Sequence, residues 1–61
     1  MEMWLARDAD NDLFLFIGKK PYKTGKIWHH PYARCILIEG EYPEIQWSDE
    51  EPTKVKLVIV K

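Results

Sequence analysis

The chain has 61 residues, a single cysteine and a formal net charge of −1. A domain this small buries only about 60% of the surface its unfolded form exposes, so it usually leans on disulfides, a metal or a partner. One thiol, Cys35, excludes an internal disulfide and fits a reducing cytoplasm, and the balanced charge gives no general attraction to nucleic acid or membrane.

Met3 to Asp8 is expected as a first strand, with Met3, Leu5 and Arg7 on one face and Trp4, Ala6 and Asp8 on the other. Asp8-Ala9-Asp10-Asn11-Asp12 has the composition of a turn, because Asp and Asn bond nearby backbone and tolerate left-handed conformations. Leu13 to about Lys19 should return antiparallel to the first strand. Its run Leu13-Phe14-Leu15-Phe16-Ile17 is apolar on every residue, so both faces need cover. Pro21 and Gly25 mark a connection, followed by a short strand from Lys26 to His30. His30-Pro31-Tyr32 is expected to turn, and Arg34 to Glu39 forms the next strand. After the break at Gly40-Glu41-Tyr42-Pro43, Glu44 to Trp47 makes a marginal strand with Ile45 and Trp47 on one face. Ser48 to Glu51 has the spacing of a capping box, yet Pro52 follows at once and permits no more than a turn. Thr53 to Val60 is the last strand. Helical periodicity is absent, and β-branched and aromatic residues crowd the strands. The opening Met1-Glu2-Met3-Trp4 lacks the basic start of a signal peptide, and the apolar runs are too short to cross a bilayer.

The chemistry-bearing constellations fail one by one. Asp8, Asp10 and Asp12 match the first positions of a calcium loop, but Leu13 and Lys19 stand where glycine and a bidentate glutamate are required. His29, His30 and Cys35 are the only soft metal ligands, and they make an incomplete set; adjacent histidines on a strand also point to opposite faces. A Cys–His nucleophile pair would need an accessible, activated thiol, whereas Cys35 lies in an apolar strand where burial raises its pKa. Gly18-Lys19 and Gly25-Lys26 lack the spacing, the following Ser or Thr and the helix of a phosphate loop. No catalytic, cofactor or metal residue is assigned.

Charge is segregated: Lys19, Lys20, Lys23, Lys26 and Arg34 lie in a stretch without acids, and Glu39, Glu41, Glu44, Asp49, Glu50 and Glu51 in one without Lys or Arg. Tyr22, Trp28 and Tyr32 interleave with the basic residues, a pattern that single-stranded nucleic acid can use as cationic groove and stacking platform. The slight overall acidity opposes that reading, and lysines guarding a strand edge explain the same pattern.

Met3-Trp4-Leu5-Ala6-Arg7-Asp8, the Asp/Asn turn and Leu13-Phe14-Leu15-Phe16 resemble the opening of short uncharacterised proteins of gut Bacteroides and their phages. Residues Tyr42 to Leu57 are similar to the way such proteins end, and the resemblance does not extend to Tyr22 to Ile38. The resemblance implies a cytoplasmic bacterial or phage-encoded accessory protein and brings no activity or site residues.

The expected fold is all-β: a single domain over residues 1–61 with five or six short antiparallel strands in one curled sheet or a partly open barrel. Its core should draw on Trp4, Leu5, Leu13, Leu15, Ile17, Ile36, Ile38, Val55, Leu57 and Ile59. Phe14 and Phe16, on the opposite face, are expected to be buried in a homodimer contact. The expected function is a non-enzymatic interaction or adaptor protein with an unidentified protein partner, self-associating and independent of any cofactor. The alternative is a nucleic-acid-binding module using Lys19, Lys20, Lys23, Lys26, Trp28, Tyr32 and Arg34 of segment 19–34.

Overall fold

A computed structural model describes residues 1–56 and Val58. The strands are β1 (Met3–Arg7), β2 (Leu13–Ile17), β3 (Tyr22–Thr24), β4 (Ile27–His29), β5 (Arg34–Leu37) and β6 (Thr53–Val55). The protein is all-β, with no helix among the described residues, and none therefore long and apolar enough to cross a membrane. Leu57 and Ile59, expected in the core, lie outside the described residues.

The strands divide between two antiparallel sheets, a four-stranded one in the order β5-β2-β1-β6 and the hairpin β3-β4. No barrel closes among the described residues. The division follows from the break after β2: Gly18 takes φ +99° and Pro21 follows, so the chain leaves the first sheet there. Tyr22 to Thr24, expected as a connection, instead becomes β3 and pairs with β4 through Tyr22↔His29, Lys23↔Trp28 and Thr24↔Ile27.

The β1–β2 hairpin forms as its turn residues dictate. The Asp8 N–H donates to the Asp12 carbonyl at 2.8 Å, Asn11 sits in the left-handed region at φ +78°, and the Asp10 carboxylate accepts the Asp12 N–H at 3.1 Å. Register then assigns the faces. Trp4↔Phe16 and Ala6↔Phe14 share one face with Cys35 and Leu37, while Met3↔Ile17 and Leu5↔Leu15 share the other with Ile36 and Val55.

The core lies on the aromatic face, where Ala6, Phe16 and Trp28 form the buried cluster and Phe14, Ala33 and Trp47 pack against it. Trp28 comes from the β3–β4 hairpin and is held at three points of the β1 end. Its N–H donates to the Asp8 carboxylate at 2.9 Å and its Nε1–H to the Arg7 carbonyl at 3.1 Å, while the Ala9 N–H donates to the Lys26 carbonyl at 3.0 Å. This corrects the expected core. Trp4 and Leu13 are buried as expected, Leu5, Leu15, Ile17, Ile38 and Val55 are only half-buried, and Ile36 is 47% exposed. A small hairpin with one large ring, too polar in sequence to announce itself, supplies the second layer.

The segment 40–52 carries no strand, so the marginal strand expected at Glu44 to Trp47 is absent. Its bonds are local turns instead: the Ile45 N–H donates to the Tyr42 carbonyl at 3.0 Å and the Asp49 N–H to the Gln46 carbonyl at 3.1 Å. Gly40 enters this loop at φ +135°, where a Cβ would meet the Tyr42 ring at 3.1 Å. Arg7 fastens the loop. Its guanidinium donates to the carbonyls of Ile45 at 2.7 Å, Asn11 at 2.8 Å and Tyr42 at 3.2 Å. Ile45 is thereby buried at 3% exposure. Arg7→Lys keeps the charge but not the planar fork, and is expected to cost about 2 kcal/mol. Urea unfolding followed by circular dichroism measures the loss, and an unchanged midpoint would show that the loop holds without the fork.

Candidate functional site

Asp8 is the one buried acid in the core, at 6% exposure. Burial is the main force raising its carboxyl above the usual aspartate value, Asp10 and Asp12 add repulsion, and the Trp28 N–H opposes the rise. The three aspartates do not converge on a cation: Asp8 turns inward to Trp28, while Asp10 closes its own turn. No group of three or more His, Cys, Asp or Glu gathers among the described residues.

The basic segment is dispersed by the hairpin. Trp28 is 5% exposed, so it is a core residue and not a stacking platform. The Lys23 ammonium lies 4.4 Å from the Trp47 ring centroid and 5.3 Å from that of Trp28, a cation held over two indoles of its own chain. Lys20 pairs with Glu51 at 2.8 Å on the surface. Lys19, Lys26 and Arg34 are exposed and form no ion pair among the described residues. Tyr32 is 82% exposed and belongs to a surface ribbon of rings. In it Tyr22 meets the edges of His29 and His30 at 6.1 and 6.0 Å, and His30 lies 6.0 Å from Tyr32. Both histidines flank one tyrosine because His30 lies just past the end of β4, where strand alternation no longer applies.

An open depression of about 740 Å³ lies between the β1–β2 turn and the 40–48 loop. Arg7 lines it, but its guanidinium is spent on three carbonyls. Ser48, the hydroxyl there, donates to the Gln46 side-chain oxygen at 3.3 Å.

Phe16 is 2% exposed and Phe14 half-buried against the same cluster, so the chain itself covers most of both rings, while Cys35 and Leu37 beside them on that face stay exposed. The face left open is the aliphatic one. Leu5, Leu15 and Ile36 form one cross-strand row and Val55, Met3 and Ile17 the next, with Arg34 and Thr53 at the margins. No second sheet lies on it among the described residues. Leu13, at the Arg7 end of this face, is buried at 2% exposure, and there the Arg7-bound loop passes by.

The two edges of the four-stranded sheet differ. Met3↔Val55 and Leu5↔Thr53 turn their backbone groups toward each other, which leaves the backbone groups of Lys54 directed outward on β6, with Pro52 just before it and the Lys54 ammonium 3.7 Å from Glu2. A lysine and a proline are standard guards of an edge. On β5 the Ile38 N–H donates inward to the Leu13 carbonyl at 2.9 Å, so Ile36 also faces β2, and Cys35 and Leu37 direct their N–H and C=O groups outward. This edge carries no lysine, proline or acid from Arg34 to Leu37, and every one of its residues is exposed. Cys35, expected to be a buried thiol, is exposed with them. Partial burial of its sulfur on the aromatic face, and then the Asp8 carboxylate, push the thiol pKa up. Such a thiol is a poor nucleophile at neutral pH. Sequence reasoning passed over Arg7; the signal that marks β5 as the bare edge is the uncharged run Cys35-Ile36-Leu37-Ile38. No family model matches the chain, and no curated protein or solved structure shows significant similarity to it.

Proposed function

We propose that the protein is a non-enzymatic interaction module that associates with a second copy of itself. The observation that carries this reading is the open aliphatic face, where six apolar side chains, Met3, Leu5, Leu15, Ile17, Ile36 and Val55, lie together without a covering layer among the described residues. Burying each half-exposed aliphatic side chain further is worth on the order of 1 kcal/mol, a large gain for a domain of marginal stability. A second copy matches this face in chemistry, being apolar where it is apolar. Analytical ultracentrifugation at micromolar concentration is expected to give a dimer that dissociates on dilution. A monomer at every concentration would remove the reading.

The runner-up is nucleic-acid binding, and it draws on the exposed ring ribbon of Tyr22, His29, His30 and Tyr32 together with Lys19, Lys26 and Arg34. A fluorescently labelled single-stranded oligonucleotide at low salt separates the two. The interaction module is expected to leave its anisotropy unchanged. A rise that collapses with added salt would transfer the function to the ribbon, since counterion release gives phosphate contacts that dependence.

A further inference from the structure

We infer that two copies join edge to edge through β5, antiparallel about a two-fold axis at Ile36, to make one continuous eight-stranded sheet. The inference rests on the self-associating reading above and places the contact at the sheet edge, where it buries Ile36 and extends the aliphatic face without covering the rest of it.

Four observations converge on it. The β5 edge is bare, whereas the β6 edge carries Lys54 and follows Pro52. Cys35 and Leu37 direct their backbone groups outward, and a two-fold axis at Ile36 sets Cys35 of one copy opposite Leu37 of the other. Each such pair can exchange both N–H···O bonds, so the donors and acceptors of the edge are matched with none left over. That register also continues the open face: the row Leu5-Leu15-Ile36 meets its own image, Ile36 against Ile36, and becomes a row of six aliphatic side chains. On the other face Leu37, 53% exposed beside Phe14, gains Cys35 as a neighbour. The register shifted by one residue toward the carboxyl end, centred on Leu37, would set Arg34 opposite Gly40, which has already left the strand at φ +135°. It would also set Ile36 against Ile38 of the other copy, so that the row runs on through Leu13 to the charged Arg7 in place of meeting its own image. A heterologous strand from another protein could use the same edge, but only a second copy brings the matching row.

Disulfide trapping tests this, because Ile36 pairs with itself at a non-hydrogen-bonded position. There Cα atoms stand about 4.5 Å apart, inside the range a disulfide spans. In a Cys35→Ser background, Ile36→Cys is expected to oxidise to a covalent dimer on non-reducing gels. Leu37→Cys, whose two copies would be about 8 Å apart in this register, is expected to remain monomeric there. Ile36→Lys should abolish the non-covalent dimer in sedimentation while its circular dichroism stays that of the parent, since Ile36 is exposed. Trapping at Leu37 in place of Ile36 would overturn the register. A parent dimer that persists with Ile36→Lys, without trapping at Ile36, would overturn the edge contact and leave self-association standing. A monomeric parent would end both.

Discussion

Trp28→Ala is expected to leave the chain unfolded at room temperature. Truncating a buried tryptophan costs roughly 3–5 kcal/mol, and a domain of this length has about 3–9 kcal/mol in total. Trp28 also does more than fill space. It is the ring by which the β3–β4 hairpin covers Ala6 and Phe16, and its Nε1–H satisfies the Arg7 carbonyl. Losing it exposes the aromatic face and removes one of the two indoles beside the Lys23 ammonium. Far-ultraviolet circular dichroism and urea titration report the outcome. Ile27→Ala, one residue away and 44% exposed, is the control and should change stability by no more than about 0.5 kcal/mol. Cooperative melting of Trp28→Ala near the parent temperature would show that another group supplies the second layer.

Asp8 gives the second large effect, and its sign is unusual for an acid in a small protein. Its carboxyl titrates above the ordinary 3.8 in the folded chain, chiefly because it is buried, so the folded state holds this proton more tightly than the unfolded state does. The contribution of Asp8 to stability is therefore greatest at acid pH. It falls as pH rises from about the unfolded value through the folded one, and stays low above both. Asp8→Asn keeps an oxygen for the Trp28 N–H and removes the charge, so at neutral pH it should be more stable than the parent. It should also lose this part of the acid dependence. Asp8→Ala leaves that buried N–H unpaired and should fall below Asp8→Asn by roughly 1–3 kcal/mol. Urea midpoints of the three proteins, compared at acid and neutral pH, check the ordering. A parent that outlasts Asp8→Asn at neutral pH would mean that the ionised carboxylate is favourable where it stands.

Much of the β1–β2–β5 sheet was legible in the sequence because local chemistry and pattern agree there. The Asp/Asn turn fixes the hairpin, and period-two alternation fixes which residues share a face. Which face becomes the core was not legible. Leu13-Phe14-Leu15-Phe16-Ile17 is apolar on both sides, and the choice is made by Trp28, 12 residues beyond Phe16, in a hairpin whose first strand is Tyr22-Lys23-Thr24. Lys23 looked like a free cation until the fold set it over two indoles. Ile45 was similarly hidden, since its burial depends on a guanidinium reaching across 38 residues of sequence and not on any period. Side chains that act through long-range contacts leave no local trace, and for this chain they decide both the core and the surface that remains.

The difference between the two margins of the main sheet bears on how large any assembly can grow. A sheet with two sticky margins adds copies at both ends without limit, the geometry of a fibril. Among the described residues the main sheet has one, and pairing through it about a two-fold axis, as proposed, would consume the sticky margin of both copies. What then faces outward at either end is β6, with Pro52 ahead of it and Lys54 within it. In the proposed dimer, growth along the sheet direction would therefore stop at two. Replacing Lys54 with an apolar residue would open the second margin, and the first sign of it should be thioflavin-positive aggregates in a protein whose parent stays clear.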